Sequence, residues 1–176
     1  EVTGTKAGKV KPGANETTFA NISIITGNAG TADTITNTSD GALSWNISAT
    51  DQVTVASIVA SGMENAVGEA DAYDDTFEFD GNFQLTGTTG IDGNGGTGNT
   101  IVGPLEDTVA WEVTGTKAGK IDPGVGETIF ANINIITANA GTADTMTNTS
   151  NGALSWTISA TDEVTVASIV ASGIEN

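Results

Sequence analysis

The chain has 176 residues, 23 of them glycine, and its 22 carboxylates outweigh five lysines to give a formal net charge of −17. That charge argues against nucleic-acid binding, which needs cations to replace phosphate counterions, and against insertion into anionic membranes. No stretch approaches the roughly 18 apolar residues of a spanning helix. Cysteine and histidine are absent, which removes thiolate and imidazole nucleophiles and the metal sites built on them.

A repeated segment dominates the sequence. Residues 1–65 recur as residues 112–176 at a constant offset of 111, with differences at only twelve positions. The linking segment, residues 66–111, holds nine carboxylates and no cation, so it carries −9 of the total charge of −17. Because an internal period sets architecture before any local motif does, we expect a 111-residue unit followed by a partial second copy.

The first copy reads as short strands separated by turns. Residues 1–9 are a polar strand, and the turn that follows contains Pro12 and Gly13. Residues 17–25 and 31–38 are predicted to be strands, with a glycine-containing turn between them. Residues 52–60 are apolar on both faces, which favours one central strand, and a short helical turn over residues 56–61 is the alternative.

The clearest local pattern surrounds a tryptophan. Leu43, Trp45 and Ile47 alternate with small or polar residues, which is the period of a half-buried strand, and the second copy keeps this pattern. We expect Trp45 to fill the core.

The linking segment is predicted to contain a hairpin over residues 76–85, turning at Asp80 and Gly81, and a glycine-rich loop over residues 86–104. The hairpin register is chosen to gather four apolar side chains on one face. These are Phe77, Phe79, Phe83 and Leu85.

A strand over residues 108–114 crosses the boundary between the linking segment and the second copy. The first copy opens at Glu1 and lacks the matching half of this strand, so its edge is expected to accept a strand from another repeat or subunit. The predicted assembly strand comprises Glu1, Val2, Thr3, Val109, Trp111 and Val113.

Calcium is the one cofactor that the residues suggest, because clustered carboxylates supply hard oxygen ligands. The candidate ligands are Asp71, Asp74, Asp75, Glu78, Asp80 and Asp92. No complete EF-hand loop is present, so a solvated acidic loop is the alternative. The adjacent carboxylates Glu106 and Asp107 do not predict a glycosidase, because few aromatic residues are available to line a cleft, and we expect no enzymatic activity.

Five sequons permit N-linked glycosylation in a host that has the machinery. Their asparagines are Asn15, Asn21, Asn37, Asn46 and Asn148.

The strand-turn-strand units PGANETTFANISI and TITNTSDGALSWNISATD resemble β-sandwich surface proteins of bacteria and archaea. These include the Ig-like repeats of fibrillar adhesins and the TasA-like or archaeal bundling-pilin filaments. The resemblance covers most of each copy. It implies filaments in which an N-terminal strand of one subunit completes the sheet of the next.

These observations predict an all-β fold, an antiparallel β-sandwich of Ig-like or jelly-roll-like type. The expected function is that of a structural subunit or repeat segment of an extracellular filament, pilus or surface fibre, assembled head-to-tail from copies of itself by strand exchange. The alternative is a calcium-dependent adhesin or a carbohydrate-binding repeat, with glycans as partners. Either function places the protein at the cell surface.

Overall fold

The computed structural model describes residues 1–10, 15–105, 108–139 and 143–175, and within these ranges the chain forms twenty β-strands and no helix. In this part of the chain there is accordingly no helix with the length and apolar character that crossing a membrane requires. The all-β content agrees with the sequence. The predicted turn at Pro12 and Gly13 and the carboxylates of Glu106 and Asp107 lie outside the described residues.

In chain order, the strands fall into three groups. The first copy contributes β1 (Val2–Gly4), β2 (Ala7–Val10), β3 (Thr17–Ala20), β4 (Ile24–Thr26), β5 (Thr34–Thr36), β6 (Ser44–Ala49), β7 (Gln52–Val55) and β8 (Ile58–Ser61). The linking segment follows with β9 (Asn65–Val67), β10 (Thr76–Phe79), β11 (Ile91–Asp92) and β12 (Thr100–Val102). The remainder is β13 (Ala110–Gly115), β14 (Ala118–Asp122), β15 (Thr128–Ala131), β16 (Ile135–Thr137), β17 (Thr145–Asn148), β18 (Trp156–Ala160), β19 (Glu163–Val166) and β20 (Ile169–Ser172).

Two long sheets run through the described part of the molecule. One has the order β18-β19-β20-β16-β12-β10-β6-β7-β8-β4, and the other has the order β17-β13-β14-β15-β11-β9-β5. The three-stranded sheet β1-β2-β3 continues the second one, because a parallel bridge joins Val2 to Asn37 beside β5. Apolar side chains from both sheets form a single core.

The predicted antiparallel sandwich is wrong, because the strands form a parallel-rich β-solenoid of about four turns. Parallel pairs link successive passes of the chain, such as Ser44 with Thr76 and Thr76 with Thr100. The chain moves to the other sheet after each strand or three-stranded meander, so it returns to the first sheet in the same direction. Antiparallel pairing is confined to the meanders, such as β6-β7-β8, which is why the sheets have more strands than the solenoid has turns.

Residues 52–60 are not one strand but the hairpin β7-β8. Ala56 and Ser57 form its two-residue loop with φ values of 48° and 63°, which is the left-handed geometry of a type I′ turn. The turn directs Val53 and Ile58 into the same core. Ala167 and Ser168 repeat this turn in the second copy, with φ values of 49° and 64°.

Replacing Ser57 with glycine is expected to stabilise the protein by up to about 1 kcal/mol, because glycine adopts positive φ without steric cost. Ser57 is exposed, so the change removes no packing. Ser44→Gly is the control, at an exposed position inside β6, and should cost about 0.5–1 kcal/mol. Urea unfolding measures both, and a Ser57→Gly variant that loses as much stability as the control would contradict the turn geometry.

The hairpin predicted for residues 76–85 is absent from the structure. Phe77 and Phe79 lie in β10, which pairs in parallel with β6 and β12, and both side chains are buried. Leu85 is also buried, and Phe83 packs partly against the core. The apolar residues therefore enter the core as expected, but through parallel partners distant in sequence.

Two other predicted segments also differ from the structure. The glycine-rich residues 86–104 contain β11 and β12, each of which has a parallel partner on both sides. Residues 17–25 break into β3 and β4 at Asn21, whose φ of 60° turns the chain from one sheet to the other. The corresponding Asn132 has a φ of 56°.

The strand order in the long sheet repeats with the sequence. The succession β4-β8-β7-β6 of the first copy recurs as β16-β20-β19-β18 of the second, with β10 and β12 between them. One 111-residue unit therefore spans six strands of the sheet, or roughly 29 Å at about 4.8 Å per strand.

Candidate assembly interface

Trp45 forms a buried contact between the first copy and the linking segment. Its ring stacks on Phe77 with ring centroids 5.5 Å apart and an interplanar angle of 20°. One oxygen of the buried Asp75 carboxylate accepts hydrogen bonds from the Leu43 amide at 2.7 Å and the Trp45 indole at 3.3 Å. The other oxygen accepts from the Glu69 amide at 2.6 Å. Strand β10 thus covers β6 and places its preceding aspartate against the tryptophan.

A second tryptophan meets a strand in the same register. Trp111 of β13 lies opposite Met146 of β17, as Trp45 lies opposite Phe77. Asp144 precedes β17, and its carboxylate accepts a hydrogen bond from the Val109 amide at 2.8 Å. The shared pattern is an apolar-x-Trp strand covered by an Asp-Thr-apolar strand.

This second pair is less completely hydrogen-bonded than the first. Neither the Trp111 indole nitrogen nor the second carboxylate oxygen of Asp144 has a hydrogen-bond partner among the described residues. Burial raises the pKa of the Asp144 carboxyl, and the nearby Glu175 carboxylate adds to the effect, although the hydrogen bond from Val109 opposes it. A raised pKa in the folded state means that the ionised form costs stability above that pKa. The cost is relieved as the pH falls through it.

The third tryptophan of this pattern is uncovered. Trp156 and Ile158 of β18 are 39% and 82% exposed, whereas Trp45 and Ile47, in a nearly identical stretch of sequence, are 1% and 0% exposed. No described strand pairs with the free edge of β18. A cavity of about 450 Å³ opens there, lined by Met146, Trp156 and Glu175 among others. The core of the solenoid is thus open at the end formed by β17 and β18.

The opposite end, formed by β3 and β4, is open as well. Ile22 and Ile24 are 37% and 71% exposed there, while their counterparts Ile133 and Ile135 are 0% and 38% exposed. The difference arises because β12 pairs with β16, whereas no described strand pairs with the corresponding edge of β4. Both ends of the described solenoid therefore present apolar strand edges.

The predicted strand across the boundary is confirmed. Val109, Trp111 and Val113 are all buried, and β13 is a six-residue strand with neighbours on both sides. Its counterpart β1 has only three residues, with Val2 buried and Glu1 and Thr3 exposed. Val2 and Val113 are equivalent in the repeat and both are buried, whereas Val109 and Trp111 come before the repeated segment. The role of these six residues in assembly stays a prediction from the sequence.

Three of the six carboxylates proposed as calcium ligands accept hydrogen bonds from N–H donors. Asp74 accepts from the amides of Thr97 and Gly98, and Asp92 accepts from Asn94 and Asn132. The other candidates are Asp75, which is buried as described, and Asp71, Glu78 and Asp80, which are exposed. Within the described ranges, no three acidic side chains are grouped closely enough to hold one ion. Calcium binding stays a prediction from the sequence, to be tested by titrating calcium during thermal melting.

The sequons fall into two groups. Asn15, Asn21 and Asn148 are exposed and Asn46 is half-buried, so the exposed three are open to a glycan. At Asn148 the glycan would replace the hydrogen bond that its side-chain amide donates to the Gly152 carbonyl at 3.1 Å. Asn37 is 2% exposed, and its side-chain amide donates hydrogen bonds to Gly41 and Asp75. A glycan on this amide would break those hydrogen bonds.

Sequence reasoning missed the role of buried polar side chains in ordering the linking segment. The Asn65 side chain accepts hydrogen bonds from the amides of Thr89 and Gly90. The Asn99 side chain accepts from the Asp75 amide at 2.8 Å and donates to the carbonyl of Gly93. The usable signal was the Asp-Thr pair before an apolar residue, which occurs at Asp33, Asp75, Asp107 and Asp144.

No family model, curated protein or solved structure was found to match this chain.

Proposed function

We propose that this protein is a structural repeat segment of an extracellular filament or surface fibre, in which solenoid units stack end to end. The observation that carries the proposal is the unequal burial of equivalent residues: Ile47 is buried under the next layer of strands, while Ile158 is 82% exposed at an open end. Solenoids without polar terminal caps expose unpaired strands, and such edges pair with further strands.

The sheet geometry also supports a stiff rod. The ten-stranded sheet is continuous through both copies. The other sheet is also continuous except beside β5, where a single bridge at Val2 joins it to β1-β2-β3. Hydrogen bonds between strands therefore run along the stacking axis. Head-to-tail contact between unlike ends generates an open polymer and not a closed ring when no rotation closes it. The carboxylate-rich, arginine-free composition is compatible with a saline or calcium-containing exterior, which supports the extracellular assignment.

Light scattering after size exclusion, over a rising concentration series, tests the assembly. We expect concentration-dependent oligomers, and negative-stain images should show rods with an axial subunit spacing of roughly 48 Å, the height of ten strands. Ile158→Lys should abolish assembly by placing a charge on the open edge. Leu105→Lys is the matched control, because Leu105 is 75% exposed but follows β12 in the middle of the solenoid. A wild-type chain that stays monomeric at high concentration would refute the proposal.

A further inference from the structure

A groove lies beside the short strand β1. It has a volume of about 590 Å³, and its lining includes Val10, Asp33, Thr34, Ile35 and Met63. Val10 is 49% exposed in this groove, although it occupies a strand position whose counterpart Ile121 is 0% exposed. An aliphatic side chain of a strand is thus left without cover at this point.

The second copy shows what covers the same residues. There, Trp111 lies opposite Ile121 on one side and Met146 on the other, and these align with Val10 and Ile35 of the groove. Trp111 is 1% exposed, and its ring meets Phe130 edge-on with centroids 6.4 Å apart. The residues that line the groove in the first copy therefore surround a tryptophan in the second.

The polar contacts of the filled site have counterparts as well. In the second copy the Val109 amide donates to Asp144, and the Val109 carbonyl accepts from the Thr145 amide at 3.1 Å. The aligned residues in the groove are Asp33 and Thr34. Both the hydrogen-bonding groups and the apolar surface for a further strand are thus present.

The end of β1 is already in register for that strand. The Glu1 amino group donates to the Lys9 carbonyl at 2.8 Å, and the Lys9 amide donates to the Glu1 carbonyl at 2.9 Å. Burial lowers the pKa of this amino group, because desolvation disfavours its charged form. A residue added before Glu1 would lie next to Val10.

We infer that this groove is a docking site for a strand of the sequence Thr-Val-Ala-Trp from another copy of the repeat unit, with its tryptophan beside Val10. The valine amide bonds to the Asp33 carboxylate, its carbonyl accepts from the Thr34 amide, and the tryptophan ring fills the space between Val10 and Ile35. The inference rests on the proposed stacking of units, because stacking brings a strand of another copy to the groove.

The test is the full chain extended by Thr-Val-Ala-Trp before Glu1, compared with the chain extended by Thr-Val-Ala-Ala. Both extensions remove the terminal charge at Glu1, so their difference isolates the tryptophan. We expect the tryptophan version to melt about 5–10 °C higher. Amide exchange at Thr34, followed by NMR, should slow at least about ten-fold as its N–H gains the valine carbonyl. Equal melting temperatures and unchanged exchange at Thr34 would overturn the inference.

Assembly is scored separately in the same samples. A chain that is stabilised by the tryptophan extension but remains monomeric would uphold the docking groove and refute the fibre. A chain that forms fibres without any gain from the extension would overturn the groove and leave the fibre standing.

Discussion

Trp45→Ala is expected to lower the free energy of unfolding by about 3–5 kcal/mol, whereas Trp156→Ala should lower it by less than about 1 kcal/mol. The two tryptophans occupy equivalent positions of the repeat. Trp45→Ala removes the stacking on Phe77 and leaves a cavity between β6 and β10. Trp156 is already exposed at the end of the solenoid, so its removal leaves no such cavity. Urea unfolding at low protein concentration measures both variants under conditions that disfavour assembly.

The same pair reports on stacking when the concentration is raised. If ends associate, Trp156 becomes covered, so Trp156→Ala should weaken assembly far more than it weakens folding. Equal losses of stability for the two variants at low concentration would contradict the difference in burial between the two copies.

Asp75→Asn is expected to cost about 3 kcal/mol, the second large effect, because the buried carboxylate accepts hydrogen bonds through both oxygens. Asparagine keeps one acceptor and turns an N–H₂ group toward donors, so either the Leu43 or the Glu69 amide loses its partner. The loss should appear as a lower urea midpoint with an unchanged denaturant slope.

Asp80→Asn is the matched control for this charge change. Asp80 is exposed, so its loss should alter stability by no more than about 0.5 kcal/mol. The control also removes the same negative charge from the linking segment, which separates the hydrogen-bonding role of Asp75 from general relief of repulsion. Similar effects of the two substitutions would show that Asp75 acts through charge alone.

Local pattern predicted several of the strands correctly but not their partners. The alternation around Trp45 and the run through Val109 and Trp111 both became strands with the expected faces buried. Side chains alternate in the same way in parallel and antiparallel strands, so this period carries no information on pairing. The predicted hairpin at residues 76–85 failed for that reason: the partners of Phe77 are Trp45 and Ile101, distant in sequence.

The repeat could be recognised from the sequence alone. So could the boundary between the linking segment and the second copy, which falls inside the strand of Trp111. The importance of the repeat for function depends on the order of the strands in the sheet. In that order β10 pairs with one edge of β6, whereas no described strand pairs with the equivalent edge of β18.

The sequence by itself determined an acidic all-β chain in which a 65-residue segment recurs at an offset of 111 residues. The tertiary structure decided the parallel pairing, the buried role of Asp75 and the groove beside Val10. Ile47 and Ile158 show the physical reason. Both are isoleucine between closely similar neighbours, yet one is buried and the other exposed, because burial depends on the neighbouring strand, which comes from a distant part of the chain.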